Sequence, residues 1–160
     1  MRKQPDFHKL YMDSFGGRPR KITYAVRKGN NRYHDVEFLY GLLHDASFRP
    51  KDFRLKGTHL TIRMYRLAWA LYLEDSAVLP SAKAQLDVSP VLAVRWWYRK
   101  GFIGKRAKAL VIGGLWLDPR ASAKDTLSFT FFDYARNWRC TLILPEDEFV
   151  MKLTDLEVPH

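Results

Sequence analysis

Residues 88–117 read VSPVLAVRWWYRKGFIGKRAKALVIGGLWL, thirty residues with six lysines or arginines, three tryptophans and no acid. Side chains on a strand alternate with a period of two. A strand through Val88–Arg99 therefore puts Leu92, Val94, Trp96 and Tyr98 on one face and Arg95, Trp97 and Arg99 on the other. The first row suits a core. The second is a cationic, aromatic outer face, which packing alone does not require and which suits a polyanion or a flat ligand. The competing structural reading is a second layer that buries Trp97 while the arginine stems run past it.

Beyond this strand, Lys100–Arg106 reads as a glycine-containing turn. Ala107–Leu117 reads as a central strand, because it is apolar on both faces. Its Gly113-Gly114 pair weakens a strand unless a neighbour must approach closely there. The last third reads as a meander: Thr126–Phe132, a turn at Ala135–Asn137, Trp138–Leu144, a turn at Pro145–Asp147, then Phe149–Leu156.

Toward the N-terminus, Phe53–Leu55, a turn at Lys56-Gly57 and Thr58–Trp69 form strands, with Leu60, Ile62 and Met64 on one face and Arg63 and Tyr65 on the other. The apolar phase changes near Arg66, which predicts a β-bulge or a new element. Glu74–Asp87, with Pro80 and several small residues, reads as a long connection. Asp35–Leu43 carries Val36, Leu39, Tyr40 and Leu43 at helical spacing, with Asp35 and Glu37 in the first turn, and predicts one short helix packed on the sheet. Lys21–Arg27 is a first strand, and residues 1–20, with Pro5, Gly16, Gly17 and Pro19, form an irregular arm. The fold expected is α+β and β-rich: an antiparallel curved sheet or sandwich with one helix over residues 35–43. Residues 21–160 form its single domain.

Composition narrows the function classes. The longest nearly apolar runs, Ala68–Leu73 and Ala109–Leu117, fall short of the roughly 20 residues of a spanning helix, so no membrane partner is expected. Met1-Arg2-Lys3-Gln4-Pro5 is followed by no apolar signal region, which makes the cytoplasm the expected compartment. The single cysteine, Cys140, reads as a small buried hydrophobe within a strand. Twenty-seven basic against seventeen acidic residues give a net charge of +10, and the distribution is lopsided. Residues 1–32 hold nine basic side chains and two acids; residues 145–158 hold five acids and Lys152. Such a field speeds encounters with polyanions and makes affinity for nucleic acid salt-dependent.

Three constellations invite chemical readings. His34-Asp35 and His44-Asp45 repeat a dipeptide seen where His and Asp ligate a metal, but ten residues of helix rise about 15 Å, too far for one ion. His44 and Asp45, with His59 or Asp52 nearby, would serve a metal-dependent hydrolase or a general base. A histidine near a helix C-terminus also has the plainer role of meeting the last carbonyls. Gly101-Phe102-Ile103-Gly104-Lys105-Arg106 lacks the spacing and the hydroxyl of a phosphate loop, and its Gly-x-x-Gly lies between strands rather than helices. It reads as a hairpin turn. No cofactor motif, metal site or catalytic set is assigned.

The third constellation is the basic aromatic surface. If the strands at Thr61–Tyr65 and Val91–Arg99 share a sheet, then Arg63, Tyr65, Arg95, Trp97 and Arg99 form one patch, extended by Lys100, Lys105 and Arg106. Bases stacking on Trp97 and Tyr65 would be its use. The function expected is a non-enzymatic binding module for nucleic acid or another anionic partner.

Leu42-Leu43-His44-Asp45-Ala46-Ser47-Phe48, followed by Leu55-Lys56-Gly57 and the alternating Leu60, Ile62 and Met64, resembles a motif of small bacterial β-rich domains. Some of these are classed as immunity-type proteins of polymorphic toxin systems. The resemblance implies an antiparallel sandwich or curved sheet and a binding role toward a protein, here an acidic one given the positive charge.

Overall fold

The computed structural model describes residues 23–26, 41, 43–67, 81–118, 125–146 and 149–157. The expected arm at 1–20 lies outside them, as does most of the expected helix, of which residues 41 and 43 are helical.

Eleven strands in these residues form two antiparallel sheets. The larger contains β1 (Thr23–Val26), β2 (Ser47–Phe48), β3 (Phe53–Lys56), β4 (His59–Leu67), β5 (Ser81–Ser89), β7 (Leu110–Val111) and β11 (Val150–Glu157), in the order β1-β11-β5-β4-β2-β7. β3 also pairs with β4. It covers the start of β4 while β2 covers Tyr65 further along, so β2 and β3 together make one interrupted neighbour. The smaller sheet runs β6 (Ala93–Tyr98), β10 (Trp138–Pro145), β9 (Thr126–Phe132), β8 (Gly114–Asp118).

The sheets face each other across one core. Strict alternation supplies it: Leu60, Ile62 and Met64 from β4, Ala82, Ala84, Leu86 and Val88 from β5, and Trp138, Cys140, Leu142 and Leu144 from β10 are all buried. Rings lock the two layers together. Phe48 meets Trp138 edge-on at 5.9 Å and Phe53 meets Trp96 at 5.0 Å. Such aromatic pairs contribute about 0.5–1.5 kcal/mol beyond the area they bury.

At two corners the chain passes from one sheet to the other, and successive amides divide their hydrogen bonds between the layers. Val91 N–H donates to Thr58 O of the larger sheet's hairpin, and Leu92 N–H donates to Ile143 O of the smaller sheet. Likewise Ile112 N–H donates to Ala46 O and Gly113 N–H to Phe132 O. Buried backbone donors must be satisfied, and this arrangement does so without an extra loop.

These corners correct two expectations. Val88–Arg99 is not one strand: β5 ends at Ser89, Ser89-Pro90 is a cis peptide, and Leu92 at 53% exposure lies outside the core. Ala107–Leu117 is not a central strand either. It splits into β7 and β8, each at an edge of a different sheet, and its apolar residues on both faces reflect the change of layer.

Three further expectations change. Residues 81–87, read as connection, belong to β5, whose inward Ala82 and Ala84 are too small to announce a strand. No bulge falls at Arg66, since β4 keeps register with β5 from Leu60 to Leu67, while the alternative of a new element and residues 68–69 of the expected strand lie outside the described residues. Arg66 simply takes an inward position, and its Nε and Nη2 donate to Asp155 at 2.6 and 2.5 Å, both side chains being buried. The register shift lies on β11 instead, between Asp155 and Glu157. Finally, β9 and β10 form the expected hairpin, but β11 leaves for the larger sheet, so the meander is incomplete.

Candidate nucleic-acid interface

The outward row of β6 survives the correction of its boundaries. Val94, Trp96 and Tyr98 lean on the core, while Arg95 and Arg99 are exposed and Trp97 is 44% exposed. Trp97 pairs with Arg139 on β10, and Arg139 pairs with Phe132 on β9. One step along, Arg95, Thr141, Thr130 and Trp116 align across all four strands. Arg95, Trp97, Trp116, Thr130, Arg139 and Thr141, with Ser128 and Ile143, line a groove of about 330 Å³ on the outer face of the smaller sheet.

Its floor is polar and its walls are aromatic. Thr130 and Thr141 share a hydrogen bond at 2.9 Å between their hydroxyls, and Ser128 and Thr130 are buried although they point outward. The larger neighbours shelter them. On one side stands Trp97, with the Arg139 guanidinium 5.0 Å from its ring centroid. On the other, Trp116 at 46% exposure packs on Phe132 with centroids 4.5 Å apart. No carboxylate is among the described lining residues.

Gly114 makes the second wall possible. A Cβ there would lie 2.3 Å from the Phe132 ring, so only glycine lets that ring lie over β8 and support Trp116. Gly113 has a stricter role, because a Cβ there would meet the Tyr134 amide nitrogen at 2.4 Å. The close approach that would justify the glycine pair is thus present at both positions.

Other expected members fall elsewhere. Arg63 and Tyr65 are exposed, but they sit on β4 in the larger sheet, so they cannot join Arg95 and Trp97 in one patch. Lys100 and Arg106 are exposed without lining the groove. Phe102 stacks on Tyr98 at 6.2 Å and Gly104 abuts the same ring, which draws the turn toward the inward side of β6. Lys105 belongs to the backbone of that turn, in the short 3-10 segment Gly104–Arg106. Trp116 and Arg139 were not singled out from the sequence, although the alternation Arg139, Thr141, Ile143 against Trp138, Cys140, Leu142 was available to place Arg139 outward.

His44 and Asp45 lie apart from this groove. His44 Nδ1 pairs with Asp45 Oδ2 at 3.0 Å, and Nε2 shares a hydrogen bond with the Tyr134 hydroxyl. His59 is engaged elsewhere, 3.0 Å from Asp87. No group of three or more His, Cys, Asp or Glu side chains with metal-binding geometry occurs among the described residues. Cys140 is buried, and burial pushes its thiol pKa far up, which disfavours the reactive thiolate.

No helix among the described residues is long and apolar enough to cross a membrane. No protein-family model, curated protein or solved structure matches this chain.

Proposed function

We propose that the outer face of the four-stranded sheet binds single-stranded nucleic acid, with bases stacking on Trp97 and Trp116 and phosphates meeting Arg95 and Arg139. The observation that carries this reading is the pair of half-exposed indoles standing either side of a hydroxyl floor, accompanied by guanidinium groups and no described carboxylate. Ring faces accept any base, and cations track the backbone, so the combination favours a strand over a compact anion. Duplex geometry fits less well, since paired bases hide the faces that the indoles would use. The net charge of +10 adds long-range attraction.

Arg139 over Trp97 is preorganised for this role. The ring holds the guanidinium in place, which lowers the ordering cost when a phosphate arrives. Meanwhile Thr141, half-buried and steadied by its hydrogen bond with Thr130, offers a hydroxyl to sugar or base edges at the floor.

The test is fluorescence anisotropy with a labelled oligothymidylate of about 15 nucleotides, near the upper site size of comparable sheet surfaces. The expected result is saturable binding that weakens steeply with salt and falls about tenfold in Trp97→Ala and again in Trp116→Ala, each lost stack being worth about 1–3 kcal/mol. No binding at low salt would overturn the reading. So would tighter binding of polyglutamate than of the oligonucleotide, which would instead favour an acidic protein partner.

A further inference from the structure

A second basic concavity opens on the larger sheet, remote from the tryptophan groove because the two sheets turn their outer faces in opposite directions. Its volume is about 610 Å³, within the usual size range of small-molecule sites. Arg49, Arg63, Lys83 and Lys108 line it around Tyr65, which is 52% exposed. Four separate segments bring these cations together. Arg49 follows β2, Arg63 lies on β4, Lys83 on β5, and Lys108 precedes β7.

Register sets the arrangement. Tyr65 is directly opposite Lys83 on one side and Ser47 on the other. Arg63 is opposite Gln85, so Arg63 and Lys83 are diagonal neighbours, within reach of one ligand for side chains this long. One acid, Asp52, is among the described lining residues. It accepts from Arg49 Nε at 2.6 Å. Arg63 and Lys108 add two exposed cations to the Arg49–Asp52 pair and Lys83.

We infer that this concavity binds a small phosphorylated aromatic ligand, with the phosphates held between Arg63, Lys83 and Lys108 and the ring laid on Tyr65. Its place on the outer face of the larger sheet separates it from the groove on the other sheet. Of its two aromatic lining residues Phe48 is buried and Tyr65 exposed, so one stacking position is available, which matches a mononucleotide better than a strand. Arg63 supplies a planar fork suited to phosphate oxygens, and the two lysines act as point charges.

Isothermal titration calorimetry on the full chain at low salt, with ADP, adenosine and pyrophosphate as separate titrants, tests the assignment. ADP is expected to bind once per chain and at least about tenfold tighter than either fragment, because only ADP uses ring and phosphates together. Arg63→Ala, Lys108→Ala and Tyr65→Ala should each weaken ADP about tenfold, while Tyr65→Phe and Trp97→Ala should leave it unchanged. All are exposed side chains, so the fold should survive. Failure of ADP to bind, equal binding of pyrophosphate, or a loss that follows Trp97 rather than Tyr65 would overturn the inference.

Discussion

The guanidinium of Arg139 lies 5.0 Å from the ring centroid of Trp97, on the strand next to it. This contact joins charge to ring at one wall of the groove, so the two side chains should not behave independently. A double-mutant cycle with Arg139→Ala and Trp97→Ala should give non-additive losses in oligonucleotide affinity, with a coupling of about 0.5–1 kcal/mol, the size of an exposed cation–π pair. Additive losses would show that the contact plays no part in binding.

Arg139 should also leave a signature in salt. Each phosphate contact to a single strand contributes about 0.7 to the slope of log affinity against log salt. Arg139→Ala should therefore reduce the slope by about that amount, and Arg63→Ala, on the other sheet, should leave it unchanged. Anisotropy titrations at several salt concentrations read both values.

Gly113 and Gly114 are adjacent, yet alanine should affect them differently. At Gly113 the new Cβ meets the Tyr134 amide nitrogen at 2.4 Å and Asp133 carbonyl carbon at 2.9 Å, and neither can move without shifting the backbone. Gly113→Ala should cost about 1–3 kcal/mol in a urea titration, as overpacking does. At Gly114 the obstacle is the Phe132 ring, which can swing aside. Gly114→Ala should be milder in stability but should tilt Trp116 and weaken oligonucleotide binding. Equal stability losses at the two sites would contradict this.

Arg66 and Asp155 form a bidentate pair inside the core. Removing one partner strands a buried charge, so Asp155→Ala should destabilise by about 3–5 kcal/mol, whereas Arg66→Met with Asp155→Leu should be close to neutral. Thermal unfolding of the three chains checks this. A double variant no more stable than Asp155→Ala would show that packing, not charge, dominates there.

Asp87 gives the fold an acid-sensitive contact. Partial burial pushes its pKa up, but hydrogen bonds from Gln85, His59 and Thr61 outweigh that and leave it lowered. A carboxylate with a folded pKa below its unfolded value of about 3.9 stabilises the fold above that pH. The contribution then fades as pH falls through the folded value. Asp87→Asn should accordingly flatten the loss of stability below about pH 4 in a pH series of urea titrations. An unchanged acid limb would remove Asp87 from the account.

Where a segment stays in one sheet, its alternation was legible in the sequence. Leu60, Ile62 and Met64 against Arg63 and Tyr65, Trp96 and Tyr98 against Arg95 and Trp97, and the β9–β10 hairpin all follow from a period of two. The misreadings occur where that period is masked. Ala82 and Ala84 are inward but small, so β5 resembled a loop. Ile112 and Gly113 turn the chain from one sheet to the other, so two edge strands resembled one buried strand.

The candidate site was half legible for the same reason. Arg95 and Trp97 share a face by alternation alone, but partners across the sheet depend on strand order. Alternation gives Arg63 and Tyr65 the same basic aromatic character, but the layer to which β4 belongs is set by long-range pairing. Trp116 was hidden within the misread strand. Its exposure follows only once Gly114 admits the Phe132 ring beneath it.

The central claim concerns which indoles meet a ligand, and the chain has five tryptophans, each with one indole N–H. Nuclear magnetic resonance of those N–H groups during titration with oligothymidylate reads the answer directly, with assignments from single Trp→Phe variants. The account predicts that the Trp97 and Trp116 resonances shift in a saturable way while that of Trp138, buried in the core, stays in place. Unmoved Trp97 and Trp116 resonances under conditions where the oligonucleotide binds would contradict it.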